Sequence, residues 1–264
     1  MGLFNRIKTS FRALFPRRYP WPGMDISLPG GQHLHLVGSI HMGTSGMSPL
    51  PPALLKMVRN ADALVVEADI SGTESPFADL DIPPPLNARL SEAQLGELTR
   101  VADELGLSLS MMETQPLWQI AMVLQATQAQ RLGLRGEYGI DYQLLNVARA
   151  QSLPIIELEG AESQVELLRQ LPDDGLLLLD DTLTHWHTNA RLLQVMVGWW
   201  LESPPAEDKP ELPATFSQSL YDVLMNERNR AWQRALQALP AGRYVVAVGA
   251  LHLYGEGNLP SLLT

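Results

Sequence analysis

Two short words that end in histidine stand near opposite ends of this chain, Gly38-Ser39-Ile40-His41 and Gly249-Ala250-Leu251-His252. Each follows a strand-like apolar run, Leu34-His35-Leu36-Val37 in the first case and Tyr244-Val245-Val246-Ala247-Val248 in the second. A strand that delivers a glycine and then an imidazole presents a ligand or base at a sheet edge, where α/β proteins keep their sites. A third apolar run, Ala63-Leu64-Val65-Val66, ends in Glu67, and Pro154-Ile155-Ile156 leads into Glu157-Leu158-Glu159. Two imidazoles and a carboxylate form a common first shell for a divalent catalytic metal, with positions left for water and substrate. Such a metal lowers the pKa of bound water and polarises a carbonyl. The spacing singles out no metal, and the same histidines also fit plain hydrogen-bonded residues at strand ends.

To bring these groups together the chain must alternate strands and helices. Residues 24–28 and 33–37 read as strands across a Pro-Gly-Gly turn, and 49–60 as a helix with prolines at its start. Helices are expected at 91–106, where Ser91 and Gln94 have capping-box spacing, and at 116–132, 141–151, 163–171, 176–201 and 217–239. Residues 71–89 and 203–213, rich in Pro and acidic residues, read as loops. The expected class is α/β: a central mixed sheet, helices around it and a helical middle region. The paired words raise the prospect of a pseudo-two-fold arrangement. Residues 19–264 show no linker and are expected to form a single domain.

A net charge of -10 argues against nucleic acid as a partner, because a phosphate backbone needs a concentrated basic face. The absence of cysteine excludes disulfides, thiolate metal sites and a cysteine nucleophile. Residues 1–18 differ from the rest. Their only charges are Arg6, Lys8, Arg12, Arg17 and Arg18, and Leu3, Phe4, Ile7, Phe11, Leu14 and Phe15 recur at helical spacing. This is a basic amphipathic helix that either touches an anionic membrane surface or packs on the domain. It lacks the uninterrupted apolar core and cleavage site of a secretory signal, and no later run is long enough to span a membrane. The expected location is the cytoplasm, either free or at the inner face of the membrane.

Taken in order, Gly38-Ser39-Ile40-His41, Glu67, Tyr138-Gly139-Ile140-Asp141, Glu157-Leu158-Glu159, Arg228-Asn229 and Val248-Gly249-Ala250-Leu251-His252-Leu253 resemble the TraB/GumN family. That family includes the pheromone-shutdown proteins and the animal TIKI proteins, which are metal-dependent proteases. The resemblance spans about residues 30–260. It implies a hydrolase site in which His41, Glu67 and His252 bind or support a divalent ion (Mn, Co or Zn). It also carries over Asp141, of the Gly-hydrophobic-Asp word, and Arg228, the late arginine. Arg228 would hold a substrate carboxylate or an oxyanion, or else form a surface ion pair. Glu67 or Glu159 would manage the proton; Glu159 would act as a general base or added ligand, or stand as a solvated strand-end carboxylate. Asp141 reads equally well as an N-cap.

The remaining candidates carry less. His33 and His35 share one strand face, and His185 lies one helical turn from Asp181. Trp118, Trp199 and Trp200 suit core or groove packing. The chain has neither an H-E-x-x-H word nor a nucleophile elbow. The expected function is metal-dependent hydrolysis of a peptide or similar amide. The rival is a non-catalytic peptide-binding or regulatory protein of the pheromone-shutdown type.

Overall fold

A computed structural model describes residues 18–69, 83–205 and 210–264. Most of the expected basic helix (residues 1–17) and much of the first expected loop (70–82) lie outside the described residues. β1 (Gly23–Ser27) and β2 (Gln32–Ser39) form an antiparallel hairpin. Gly31 closes its turn at a φ of 87°, a conformation a side chain resists. β3 (Ala63–Val66), β4 (Ile155–Glu157) and β5 (Gly242–Gly249) run parallel to β2. The strand order is β1-β2-β5-β3-β4, which makes the sheet mixed, as the sequence led us to expect.

The helices follow in chain order. They are α1 (Pro52–Arg59), α2 (Leu86–Arg89), α3 (Glu92–Leu105), α4 (Leu117–Arg131) and α5 (Ile140–Ala150). Next come α6 (Ala161–Arg169), α7 (Pro172–Thr184) and α8 (Trp186–Leu201). α9 (Gln218–Tyr221) runs through a π-helical turn (Asp222–Glu227) into α10 (Arg228–Gln237). α11 (Ala250–Tyr254) and α12 (Leu259–Leu263) close the chain.

Side chains on a strand alternate between faces, and the cores follow that rule. Leu64, Val66, Val245 and Ala247 meet α1 and α5 on one face, through Leu54, Val58, Leu144 and Leu145. Val65, Val246 and Val248 meet Trp232, Leu236 and Leu253 on the other. The helical middle has a core of its own, built on Leu98, Leu124, Leu179 and Trp186. The capping box at Ser91 and Gln94 forms as read.

One expected helix is divided. Residues 176–201 belong to α7 and α8, which break at His185. The break lets Trp186 bury in the helical core while α8 returns to the sheet, where Trp199 packs on Tyr254.

Candidate functional site

Parallel pairing brings the carboxyl ends of four strands to one edge. Ser39 of β2 lies opposite Gly249 of β5, and Val66 of β3 lies opposite both Ala247 and Glu157. The residues just beyond these ends, His41, Glu67, Glu159 and His252, therefore share the edge where open α/β sheets carry their ligands. The two histidine words are neighbours, but they are not equivalent. Past Gly249 the chain turns into α11 and buries His252, whereas past Ser39 it bends at His41 and leaves that side chain 62% exposed.

Arg228 is the hub. It enters at the first position of α10, directly after the π-helical turn, an irregularity that often marks functional sites. Its Nε and Nη2 donate to Glu159 Oε1 and Oε2 at 2.8 and 3.0 Å, a two-pronged pairing. Nη2 also donates to Glu67 Oε2 at 2.7 Å, and Nη1 to the Leu224 carbonyl at 3.2 Å. The guanidinium lies over the Trp232 ring, 4.6 Å from its centre, and the Trp232 indole N–H donates to Glu159 Oε1 at 2.8 Å. The Gly249 N–H holds the other Glu67 oxygen at 2.6 Å. Burial alone would raise the Glu67 pKa, but the surrounding cations and the Gly249 N–H outweigh it and hold Glu67 down at about 2. Burial works against the Arg228 charge as well, and the two carboxylates more than restore it.

His252 is set by Asn229, the next residue of α10. Asn229 Nδ2 donates to the Gly257 carbonyl at 3.1 Å, so its Oδ1 is left to accept from His252 Nδ1 at 2.7 Å. This network places the proton on Nδ1 and leaves a lone pair on Nε2, which faces Arg228 Nη1 at 3.4 Å. Burial pushes the His252 pKa down to about 3, with Arg228 and His41 adding to the shift against the pull of Glu67. The imidazole is therefore neutral at pH 7. Its pull on Glu67 vanishes in that form, leaving Arg228 as the buried cation beside the carboxylate.

His41 faces Asp141. Its Nδ1 lies 3.0 Å from Asp141 Oδ2, an ion pair off ideal hydrogen-bond geometry, since that oxygen has no well-directed hydrogen bond. The buried Asp141 carboxylate pushes His41 up to about 9. Water reaches the imidazole and screens the pair, so its contribution to stability is small. The N-cap of α5 is Gly139, with no side-chain cap, so the N-cap reading of Asp141 is corrected: the carboxylate serves His41 instead.

Gly139 makes that approach possible. The Ile140 N–H donates to the Ile40 carbonyl at 3.0 Å, and a Cβ on Gly139 would lie 2.1 Å from the His41 carbonyl oxygen. We expect Gly139→Ala to lower unfolding free energy by about 1–3 kcal/mol, as overpacking against fixed backbone does. Gly136→Ala, where a Cβ meets nothing within 4 Å, is the control. Urea unfolding midpoints compare the two, and equal losses would remove the steric argument.

The centre carries two groups of a kind that can ligate a divalent cation, fewer than the three expected. An ionised carboxylate and a neutral imidazole with an oriented lone pair face one centre, and the Arg228 guanidinium stands in there as the positive charge. His41, the third expected ligand, belongs to the same edge but is turned to Asp141. Among the described residues no three His, Asp or Glu side chains converge as a metal cluster.

Asn229, Trp232 and Gln164 are site residues that the sequence reading gave no role. Gln164 Nε2 reaches Glu67 Oε2 at 3.3 Å and Glu159 Oε2 at 3.4 Å. The spacing of Arg228, Asn229 and Trp232 over one helical turn was the available signal. The other histidines lie elsewhere. His35 bonds Asp25 and Trp21, His33 bonds Ser27, and His185 ends α7. Trp118 and Trp199 are buried in cores, as expected, and Trp200 donates to the Gly38 carbonyl at 3.0 Å.

Comparison with known proteins agrees with the motif order. The TraB/PrgY/gumN family profile matches residues 24–264. The chain is 64% identical over 263 residues to a protein of Escherichia coli (strain K12) described as "Uncharacterized protein YbaP", with 100% of each chain covered. A protein of Shigella flexneri with the same description is also 64% identical over 263 residues, again with 100% of each chain covered. No solved structure matches. With the family profile covering nearly the whole length, this chain belongs to the TraB/PrgY/gumN family.

Proposed function

We propose that the protein is a metal-dependent hydrolase acting on a peptide or similar amide, with Glu67, His252 and His41 as the residues that hold the ion. The observation that carries this reading is the pairing of ionised Glu67 with neutral His252, whose Nε2 lone pair faces the same positive charge. A divalent ion held there supplies a Lewis acid for the scissile carbonyl. Arg228 steadies the negative charge that develops on the carbonyl oxygen, and Glu159 accepts or returns a proton beside it. Asp141 pairs with His41 Nδ1 and keeps the ring charged at neutral pH, so His41 would have to release its Nε2 proton to join the ion. The peptide substrate class comes from the family resemblance.

The test is calorimetric titration of chelator-treated protein with Mn, Co or Zn ions, followed by a peptide-hydrolysis screen. We expect one bound ion per chain, affinity lost in both His41→Ala and His252→Ala, and hydrolysis that requires the ion. Failure of the folded protein to bind any of the three ions would discard the hydrolase reading. A second reading is a peptide-binding or regulatory protein, favoured by the full set of bonds that Arg228 already makes within the site. Peptide binding that survives both histidine substitutions would support it.

We also propose a cytoplasmic location, with the basic residues of positions 1–18 as the segment that would meet the inner membrane face if the protein docks there. Among the described residues no helix is long and apolar enough to cross a membrane.

A further inference from the structure

We propose that the protein pairs with a second copy of itself through the outer face of α8, the two helices lying antiparallel across a two-fold axis. From Leu192 to Leu201 this helix carries no charged residue. A helix so apolar belongs in a core, and one side of it is in one. Val197 packs in the core shared with α1 and α5, and Trp199 in the core on the other face of the sheet. The other side is bare. Val195 is 47% exposed and Leu201 48%, and a Cβ on Gly198 would meet nothing within 4 Å among the described residues. Clustered apolar surface left in water marks an interaction site.

The pattern along that face names the partner. Arg191, Val195, Gly198 and Glu202 follow one another at steps of four, three and four residues, so they form one stripe. Arg191 and Glu202 are exposed at its two ends, and neither makes an ion pair among the described residues. The Arg191 guanidinium donates to Thr188 Oγ1 at 3.4 Å, a long bond that leaves its charge unbalanced.

The stripe complements itself when reversed. A two-fold axis midway between Met196 and Val197 sets Arg191 of each copy against Glu202 of the other, and Val195 against Gly198. The branched side chain fills the space over the bare glycine, the helices approach closely, and each end closes with an ion pair. A parallel pairing would oppose arginine to arginine and valine to valine, so charge and shape both select the antiparallel one. An anionic lipid surface would suit Arg191 but repel Glu202. The face adjoins the first histidine word, since Trp200 donates to the Gly38 carbonyl at 3.0 Å. Pairing therefore steadies the helix that supports that word.

Sedimentation equilibrium of the full-length chain over a concentration series reads the association state, with folding checked by circular dichroism. Wild type should dimerise. Gly198→Ile, for which the single chain has room, should weaken the dimer about tenfold or more, because the new side chain meets Val195 of the second copy. Arg191→Glu and Glu202→Arg should each weaken it by a similar factor, since like charges then face each other at both ends. Combining the two reversals should bring the dimer back to within about threefold of wild type, because each new pair forms across the axis.

Wild type that stays monomeric at its highest soluble concentration would overturn the proposal. So would a dimer indifferent to Gly198→Ile, or one that the double reversal fails to restore. Monomeric protein that sediments with phosphatidylglycerol vesicles, and loses this in Val195→Glu, would overturn it too and give the face to lipid.

Discussion

Replacing Arg228 with Met is expected to lower unfolding free energy by about 3–5 kcal/mol, the cost of leaving a buried ion pair with one partner. Arg228 serves two carboxylates that cannot turn to water. The side chains of Arg228, Glu67 and Glu159 are 16%, 8% and 15% exposed. Removing the guanidinium leaves both carboxylates short of a counter-charge, with Trp232 and Gly249 still donating to them. It also strips the cation from the Trp232 ring. Adding Glu67→Gln to Arg228→Met should recover part of the loss, because the second change removes one stranded charge. Equilibrium urea unfolding of the two variants and wild type measures both effects. A loss below about 1 kcal/mol for Arg228→Met would place the pair in the weak class of solvent-screened bridges.

The second large effect is on the pH dependence of stability. His252 is held well below its ordinary value of 6.5, at about 3, so between those limits the unfolded chain binds a proton that the folded chain refuses. Its contribution is present above pH 6.5 and is lost as pH falls toward 3, at no more than about 1.4 kcal/mol per pH unit for one proton. Glu67, held down by Arg228 and the Gly249 N–H, has the same sign over a lower window that opens below its ordinary 4.5. His41 has the opposite sign. Raised to about 9, it stabilises below pH 6.5, and that contribution is lost as pH rises through 9, weakly because the ring is open to water. His252→Gln should therefore flatten the stability profile between pH 6 and 4.5, while His41→Gln should flatten only the alkaline side. Urea unfolding across pH tests this, and identical acid limbs in wild type and His252→Gln would refute the account of His252.

The strands and the edge they form were legible because burial on both faces leaves a mark in sequence. Ala63–Val66 and Tyr244–Val248 are unbroken apolar runs because parallel strands covered on both sides must be apolar at every position. Each run ends at the carboxyl edge of the sheet, so the first polar residue beyond the β3 run, Glu67, announces its place even though it is buried. The capping box of α3 was legible for a similar reason, since it is made within four residues. The break at His185 was not, because the hydrophobic pattern runs through it. It is dictated by where Trp186 and Trp199 find their separate cores.

By itself, then, the sequence determined the α/β class, the shared edge of His41, Glu67 and His252, and the family's ordered words. Those properties are written in local periodicity and composition, which act within a strand or a helical turn. Only the tertiary structure decided what the residues do to one another. The bonds that define the site join residues 161 apart (Arg228 to Glu67), 69 apart (Arg228 to Glu159) and 182 apart (Gly249 to Glu67), and no spacing rule reaches so far. The two histidine words look alike in sequence, yet one imidazole is buried and neutral and the other is open and paired with Asp141. Burial and the charge of whatever packs nearby set the protonation and reach of each ring, and both come into being only when the chain has folded.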